Sequence, residues 1–277
     1  MDSQAHRSNS DFKILRRTFS GIQEEEKERF HAYHELYYIA EGSCSVFIGR
    51  RTFKMNAGDF AIIPGGTLHK TDFSSTGHNV KFVVSFSRKT ARQIDAFLGE
   101  PLTQQCMQAG RVTAPLQRRE SVGIVLGRML YEYDNQPLHA QSFFKACLAE
   151  LLISILRYRT HQEENESLPD PRTDRMQTLA AYICDHASED LNLELLASRF
   201  ALSPSYLSRS FKQATGFGFR EYLISVRIQR ATDLLLGTDL TITEIADQCG
   251  FSDSNYFGDA FRRATGLSPR DYRRLGS

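Results

Sequence analysis

Two short stretches near the C-terminal end of the chain carry side chains suited to nucleic-acid contact at helical spacing. In the first, Ser205, Arg209 and Lys212 recur on one face, with Ser208 and Gln213 flanking it. In the second, Asn255, Asp259 and Arg262 share a face, with Asp253 and Ser254 in the opening turn and Arg263 next in sequence. Arg and Asn suit the hydrogen-bonding edges of guanine and adenine, while Lys, Ser and Thr suit phosphate oxygens. The opposite faces are apolar, with Leu207, Phe211 and Ala214 in one stretch and Phe257, Phe261 and Ala264 in the other. Each stretch predicts a helix that buries one side and offers the other to double-stranded DNA.

The elements that must hold these helices are written twice. Ala197 matches Ala246 at an offset of 49 residues, whereas Phe211 and Tyr222 match Phe261 and Tyr272 at 50. The second copy therefore carries one extra residue in its turn. Each copy reads as a short apolar helix, a tight turn and a second helix, the plan of a helix-turn-helix. Ser203 followed by Pro204 supplies an N-cap with proline at the first helical position, and Ser252 is expected to cap the second recognition helix. Between the copies, residues 219–236 are free of Gly and Pro and stop at Gly237. At 1.5 Å per residue that helix is about 27 Å long. It can set two recognition helices near one DNA turn apart, roughly 34 Å.

Residues 174–275 resemble the DNA-binding domain of AraC/XylS-type transcriptional regulators. The resemblance rests on Leu196-Ala197, Leu202-Ser203-Pro204, Tyr206-Leu207, Arg209, Phe211-Lys212, Thr215-Gly216, Arg227, Ala231 and Leu234-Leu235. It continues through Ile242, Ile245-Ala246, Gly250-Phe251, Asp253, Tyr256-Phe257, Phe261-Arg262, Gly266, Ser268-Pro269 and Tyr272-Arg273. It implies a sequence-specific transcription regulator, with activator the favoured sign and repressor left open, working with RNA polymerase as a homodimer. The Asp253-Ser254-Asn255 triplet is similar to that of rhamnose-responsive members, which makes a sugar the expected effector.

The N-terminal half is β-rich, with runs at residues 36–40, 44–48, 51–55, 60–63 and 80–86 punctuated by Gly42, Gly49, Gly58 and Gly65-Gly66. Closely spaced strands with glycine turns predict a small barrel or jelly roll. The order His31-x3-Glu35-x6-Gly42, then Gly58-Asp59-x4-Pro64-x-Gly66-x2-His69, resembles the two cupin motifs. The resemblance implies a sensor domain whose pocket holds Arg29, His31, Glu35 and His69. Cupins commonly place a first histidine where this chain has Arg29, so two readings stay open. His31, Glu35 and His69 line a polar ligand pocket without a cofactor, or they bind zinc, manganese or iron with water completing the shell. His34 is one step out of register and is expected to face the other side of its strand.

Two amphipathic helices follow, one with a stripe from Val122 to Tyr133, the other with a broader stripe from Phe143 to Leu156. Residues 142–157, whose stripe is too wide for one neighbour, are expected to form a dimer interface. Residues 161–171 are polar and carry two prolines, which reads as a linker. The expected fold is α+β in two domains: a cupin-like β-barrel with flanking helices at 1–160, a linker at 161–173, and an all-α domain with two helix-turn-helix motifs at 174–277.

Net charge is only +1, and 41% hydrophobic against 24% charged residues describes a globular chain. Residues 171–277 balance thirteen basic against thirteen acidic residues, yet residues 199–230 hold six basic against one acidic. A basic stripe therefore exists without a basic domain, which points to reliance on dimerisation or a protein partner. No apolar run reaches membrane-spanning length and residues 1–10 are no signal peptide. Five singly placed cysteines fit buried thiols in a reducing cytoplasm. No nucleophilic triad, P-loop or dinucleotide-binding motif is present, so no catalytic residue is assigned and the chain is not expected to be an enzyme. The competing expectations are a metal-dependent cupin enzyme with a DNA-binding appendage, and a regulator whose cupin only dimerises.

Overall fold

A computed structural model describes residues 11–20, 33–73, 77–160 and 171–276. The N-terminal unit holds β1 (Phe12–Ser20), β2 (His34–Glu41), β3 (Ser43–Ile48), β4 (Arg51–Asn56), β5 (Asp59–Ile63), β6 (His69–Asp72), β7 (His78–Phe86) and β8 (Gly110–Thr113). Its helices are α1 (Arg88–Leu98), α2 (Leu102–Cys106), α3 (Arg119–Asn135) and α4 (Ala140–Thr160). One antiparallel sheet runs β1-β7-β2-β5-β8 and a second runs β4-β3-β6.

Because strand side chains alternate, each strand of the larger sheet feeds two cores. Tyr37, Ile39, Ala61, Ile63 and Val83 point between the sheets, where they meet Cys44, Val46, Ile48 and Met55 of the smaller sheet. Leu36, Tyr38, Phe60, Ile62, Val84 and Phe86 point the other way and pack on α3 and α4. The result is the expected cupin-like shell with helices covering one face. The sequence runs foresaw β2, β3, β4, β5 and β7. They missed β1, β6 and β8, of which β6 is only His-Lys-Thr-Asp and β8 only Gly-Arg-Val-Thr.

Most of the wide stripe of α4 is core of the single chain, which removes Leu148 and Leu152 from any dimer surface, while Phe143, Ile153 and Leu156 stay half-buried. Phe144, Leu148 and Leu152 are fully buried within the single chain, shared among the sheet, α2 and α3. The stripe is wide because α4 has several neighbours rather than one. The five cysteines are free, and four of them are buried. Among the described residues no helix is long and apolar enough to cross a membrane.

The C-terminal unit is helical throughout: α5 (Pro171–Asp185), α6 (Leu193–Arg199), α7 (Pro204–Thr215), α8 (Phe219–Gly237), α9 (Ile242–Gln248), α10 (Ser254–Thr265) and α11 (Pro269–Gly276). Residues 161–170 lie outside the described residues, and α5 begins at Pro171, inside the span read as linker. Two cores divide this unit. Leu179, Ile183, Leu196, Leu207, Phe211 and Tyr222 form the first, and Ile228, Leu235, Ile245, Phe257, Phe261 and Tyr272 form the second. The long helix α8 contributes to both.

Candidate nucleic-acid interface and effector compartment

Each recognition helix is started by a side chain that satisfies orphan backbone donors. Ser203 caps α7 by accepting from Tyr206 N at 3.3 Å. The cap of α10 is Asp253, not the expected Ser252: its carboxylate accepts from Asn255 N at 2.7 Å and Tyr256 N at 3.3 Å. The extra residue of the second copy explains the difference. Leu202 N donates to Ala197 O and Phe251 N to Ala246 O, so both turns close identically. Ser252 is then the insertion, and it shifts the cap one residue on.

The turn itself needs left-handed backbone. Ala201 adopts φ +50° in the first copy and Gly250 φ +84° in the second. Glycine is required at the second, because a Cβ there would lie 2.8 Å from Ser188 O in the α5–α6 loop. That close approach joins the two helix-turn-helix units. Arg227 of α8 reinforces it, donating to Ala187 O at 2.7 Å and Glu189 O at 2.8 Å with its guanidinium 5.7 Å from the Phe251 ring.

The structure leaves Ser205, Ser208, Arg209, Lys212 and Gln213 exposed on α7, and Asp253, Ser254, Asn255, Arg262 and Arg263 exposed on α10 and its cap. Leu207 and Phe211, and likewise Phe257 and Phe261, are fully buried beneath them. Asp253 is placed at the expected spot, but its carboxylate is committed to the helix terminus.

In the N-terminal unit, Glu35 and His69 do converge between the sheets, 3% and 1% exposed. Glu35 accepts from Tyr37 OH at 2.9 Å and Ser85 Oγ at 2.8 Å. His69 Nε2 stands 3.2 Å from Glu35 Oε2, while Nδ1 lies 2.8 Å from Thr67 O. Arg29 and His31 lie outside the described residues. Among the described residues no group of three or more His, Cys, Asp or Glu is gathered to hold a metal.

His34 faces the helical side as expected, its Nδ1 accepting from Gly65 N at 3.1 Å and its ring 5.3 Å from Phe86. Burial and the nearby Arg88 push its pKa down to about 4.

Sequence reasoning missed Lys81, which is fully buried between the sheets. Its Nζ lies 4.3 Å from the Tyr37 ring centroid, 5.3 Å from Phe73 and 3.5 Å from Thr71 Oγ1. The signal was available, since Lys81 and Ser85 share the inward phase of β7 with Val83. A cleft of about 170 Å³ opens over the β3–β4 ladder, lined by Ser43, Ser45, Lys54, Asn56 and Asp72 together with Cys44 and Met55.

The two units are docked. Phe47 and Leu68, on the outer side of the smaller sheet, belong to the same core as Phe211, Phe217 and Tyr222. Tyr222 OH donates to Gly49 O at 2.8 Å, Lys70 Nζ donates to Gly216 O at 2.6 Å, and Thr52 Oγ1 donates to Ala214 O. Arg50 pairs with Asp185 at 2.8 Å. Of the four polar contacts, two fall at the C-terminal end of α7 or just beyond it, at Ala214 and Gly216, one on α8 at Tyr222 and one at the end of α5 at Asp185.

Residues 196–275 match the helix-turn-helix domain family model, and residues 14–121 match the AraC-like ligand binding domain model. The chain is 27% identical over 250 residues to the HTH-type transcriptional activator RhaS of Escherichia coli, covering 89% of this chain and 87% of the relative. Among solved structures, it overlaps the C-terminal domain of AraT, a response regulator from Geobacillus stearothermophilus, at 42% identity and TM-score 0.36 over 39% of this chain and 88% of that one. It also overlaps fatty-acid-bound ToxT from Vibrio cholerae at 16% identity and TM-score 0.41 over 97% of each chain. Overlaps this loose transfer no detail.

Proposed function

Because the chain belongs to the AraC/XylS family of transcriptional regulators, we propose that it is a cytoplasmic one-component activator whose N-terminal domain gates DNA binding by the C-terminal one. α7 and α10 enter adjacent major-groove segments. Arg209 and Asn255 read base edges, and Ser205, Ser208, Lys212, Gln213, Ser254, Arg262 and Arg263 contribute base or phosphate contacts. The effector is a polar small molecule, for which a sugar is our candidate. It sits between the sheets against Glu35 and His69, with Arg29 and His31 contributing from the preceding segment. The protein acts as a homodimer with RNA polymerase as its partner, and it performs no catalysis.

One observation carries this reading. On β6, adjacent residues face opposite ways: His69 points into the inter-sheet compartment beside Glu35, while Lys70 points out and holds Gly216 O at the end of α7. A ligand that repositions His69 therefore acts on the strand that carries the docking lysine. The test is a thermal-shift panel of sugars on the wild-type protein and Glu35→Gln, with operator binding measured alongside. A stabilising sugar whose shift is lost in Glu35→Gln, while ligand-free DNA binding persists, is the expected result. A sugar that stabilises both proteins equally would place the site elsewhere.

A further inference from the structure

The recognition helices α7 and α10 each have twelve residues and begin after N-caps 50 residues apart, Ser203 and Asp253. The internal repeat can therefore be compared position by position. Leu207 corresponds to Phe257 and Phe211 to Phe261, all buried. Ser205 corresponds to Asn255, Tyr206 to Tyr256, and Lys212 to Arg262, all exposed. Buried positions keep their apolar character, and the late exposed position keeps its positive charge. The sixth position breaks the pattern, because Arg209 in α7 is answered by Asp259 in α10, and both are exposed.

A carboxylate on a face presented to phosphates is repelled, so such a residue needs a compensating partner. Among the described residues no ion pair engages Asp259, and the cations next to it on α10 are Arg262 and Arg263 at the i+3 and i+4 positions. Asp253 cannot supply that carboxylate's role, because it is committed to capping. In the major groove cytosine and adenine both offer an exocyclic amino donor, and the usual partner of an acid is that of cytosine, since adenine sets an acceptor N7 beside its own, whereas arginine takes guanine O6 and N7. Equivalent depth in two equivalent helices with opposite charge thus gives opposite base preference.

We propose that Asp259 is a specificity-determining residue, accepting a hydrogen bond from a cytosine amino group under α10, as the counterpart of a guanine read by Arg209 under α7. The half-site then carries a guanine in one segment and, about one helical turn away, a cytosine. This rests on α7 and α10 being the helices that enter the grooves.

The test is selection of binding sites from a random duplex pool by the full-length wild type, Asp259→Asn, Asp259→Arg and Arg209→Ala, each checked for retained fold by circular dichroism. The wild type is expected to prefer cytosine about tenfold at one position of the second segment. Asp259→Asn should shift that position toward adenine and Asp259→Arg toward guanine, with the first segment unchanged. If Arg209→Ala relaxes the first segment but both Asp259 variants keep the wild-type preference, the assignment of Asp259 fails alone. The same holds if removing its charge merely tightens binding to every sequence. If the wild type selects no two-segment motif, the assignment of the recognition helices fails with it.

Discussion

Replacing Phe47 with alanine measures the docking of the two units directly. Phe47 lies on the outer side of β3, 3% exposed, with its ring 5.5 Å from that of Phe217 and 5.8 Å from that of Tyr222, both edge-on. Burying a phenyl group is worth about 1.5–3 kcal/mol, and each edge-on ring pair adds about 0.5–1 kcal/mol. Deletion in a well-packed core reaches about 3–5 kcal/mol once the cavity is included. An interface between two units can close partly around the gap, so we expect a loss of about 3 kcal/mol. If the sheet stood undocked in water, the same change would fall within about 0.5 kcal/mol of zero. Phe97, 85% exposed on α1, supplies that reference in the same protein. Urea unfolding followed by far-ultraviolet circular dichroism reads the difference, and the loss should fall on the transition of the helical unit, whose core Phe47 joins. Phe47→Ala and Phe97→Ala with equal midpoints would refute the docked arrangement.

Four further outcomes are expected. Ala201→Gly should stabilise by about 0.5–1 kcal/mol because φ +50° strains a side chain, whereas Gly250→Ala should destabilise by more than about 2 kcal/mol at φ +84° against Ser188 O; thermal melts of both variants check the sign. Asp253→Ala should cost about 1 kcal/mol by removing the α10 cap and Ser252→Ala nearly nothing; equal losses would restore Ser252 as the cap. Leu148→Glu, at a fully buried site of α4, should abolish folding rather than yield a folded monomer, as gel filtration with circular dichroism will show. His34 is held neutral in the fold, with a pKa of about 4 against 6.5 when unfolded, so its contribution is full above pH 6.5 and is lost as pH falls toward 4. That loss is roughly 2–3 kcal/mol and should vanish in His34→Gln, measured by urea midpoints between pH 4 and 7.

Much of the helical unit was legible because its signals are local and repeated. Caps, turn glycines and 3.6-residue periodicity recur at a fixed offset, so each copy checks the other. The one local error, Ser252 for Asp253 as the cap, came from two capping residues standing side by side. What decided between them was the backbone closure from Phe251 N to Ala246 O, which no sequence pattern displays. The β-rich half was less legible. β6 is a four-residue polar strand recognisable only by its pairing with β3, and it carries both His69 and Lys70. Leu148 and Leu152 of α4 were misplaced because stripe width alone cannot tell a helix with many neighbours in its own chain from one awaiting a partner. Phe47 and Tyr222 gave no hint of meeting, since their contact is set by how two separately folded units lie together.

Where docking occurs also fixes what it can control. The sheet grips α7 at its C-terminal end, through Ala214 and Gly216, and leaves the N-terminal residues of α7 exposed. Docking therefore does not mask the DNA face, and the gate we propose must act through orientation. Arg209 lies seven residues from the held Gly216, about 10 Å along the helix axis. Rotating α7 by about 10° around that end moves Arg209 by nearly 2 Å and Ser205, farther out, by about 3 Å. Base readout tolerates only a few tenths of an ångström around a donor–acceptor distance of roughly 2.9 Å. A shift of β6 far too small to undock the units is thus enough to break the contacts of α7. The second unit follows, because the Arg227 bridge and the close approach of Gly250 to Ser188 tie the α9–α10 turn to the loop after α5. Under the proposed gate, control from one strand of the smaller sheet would reach both recognition helices together.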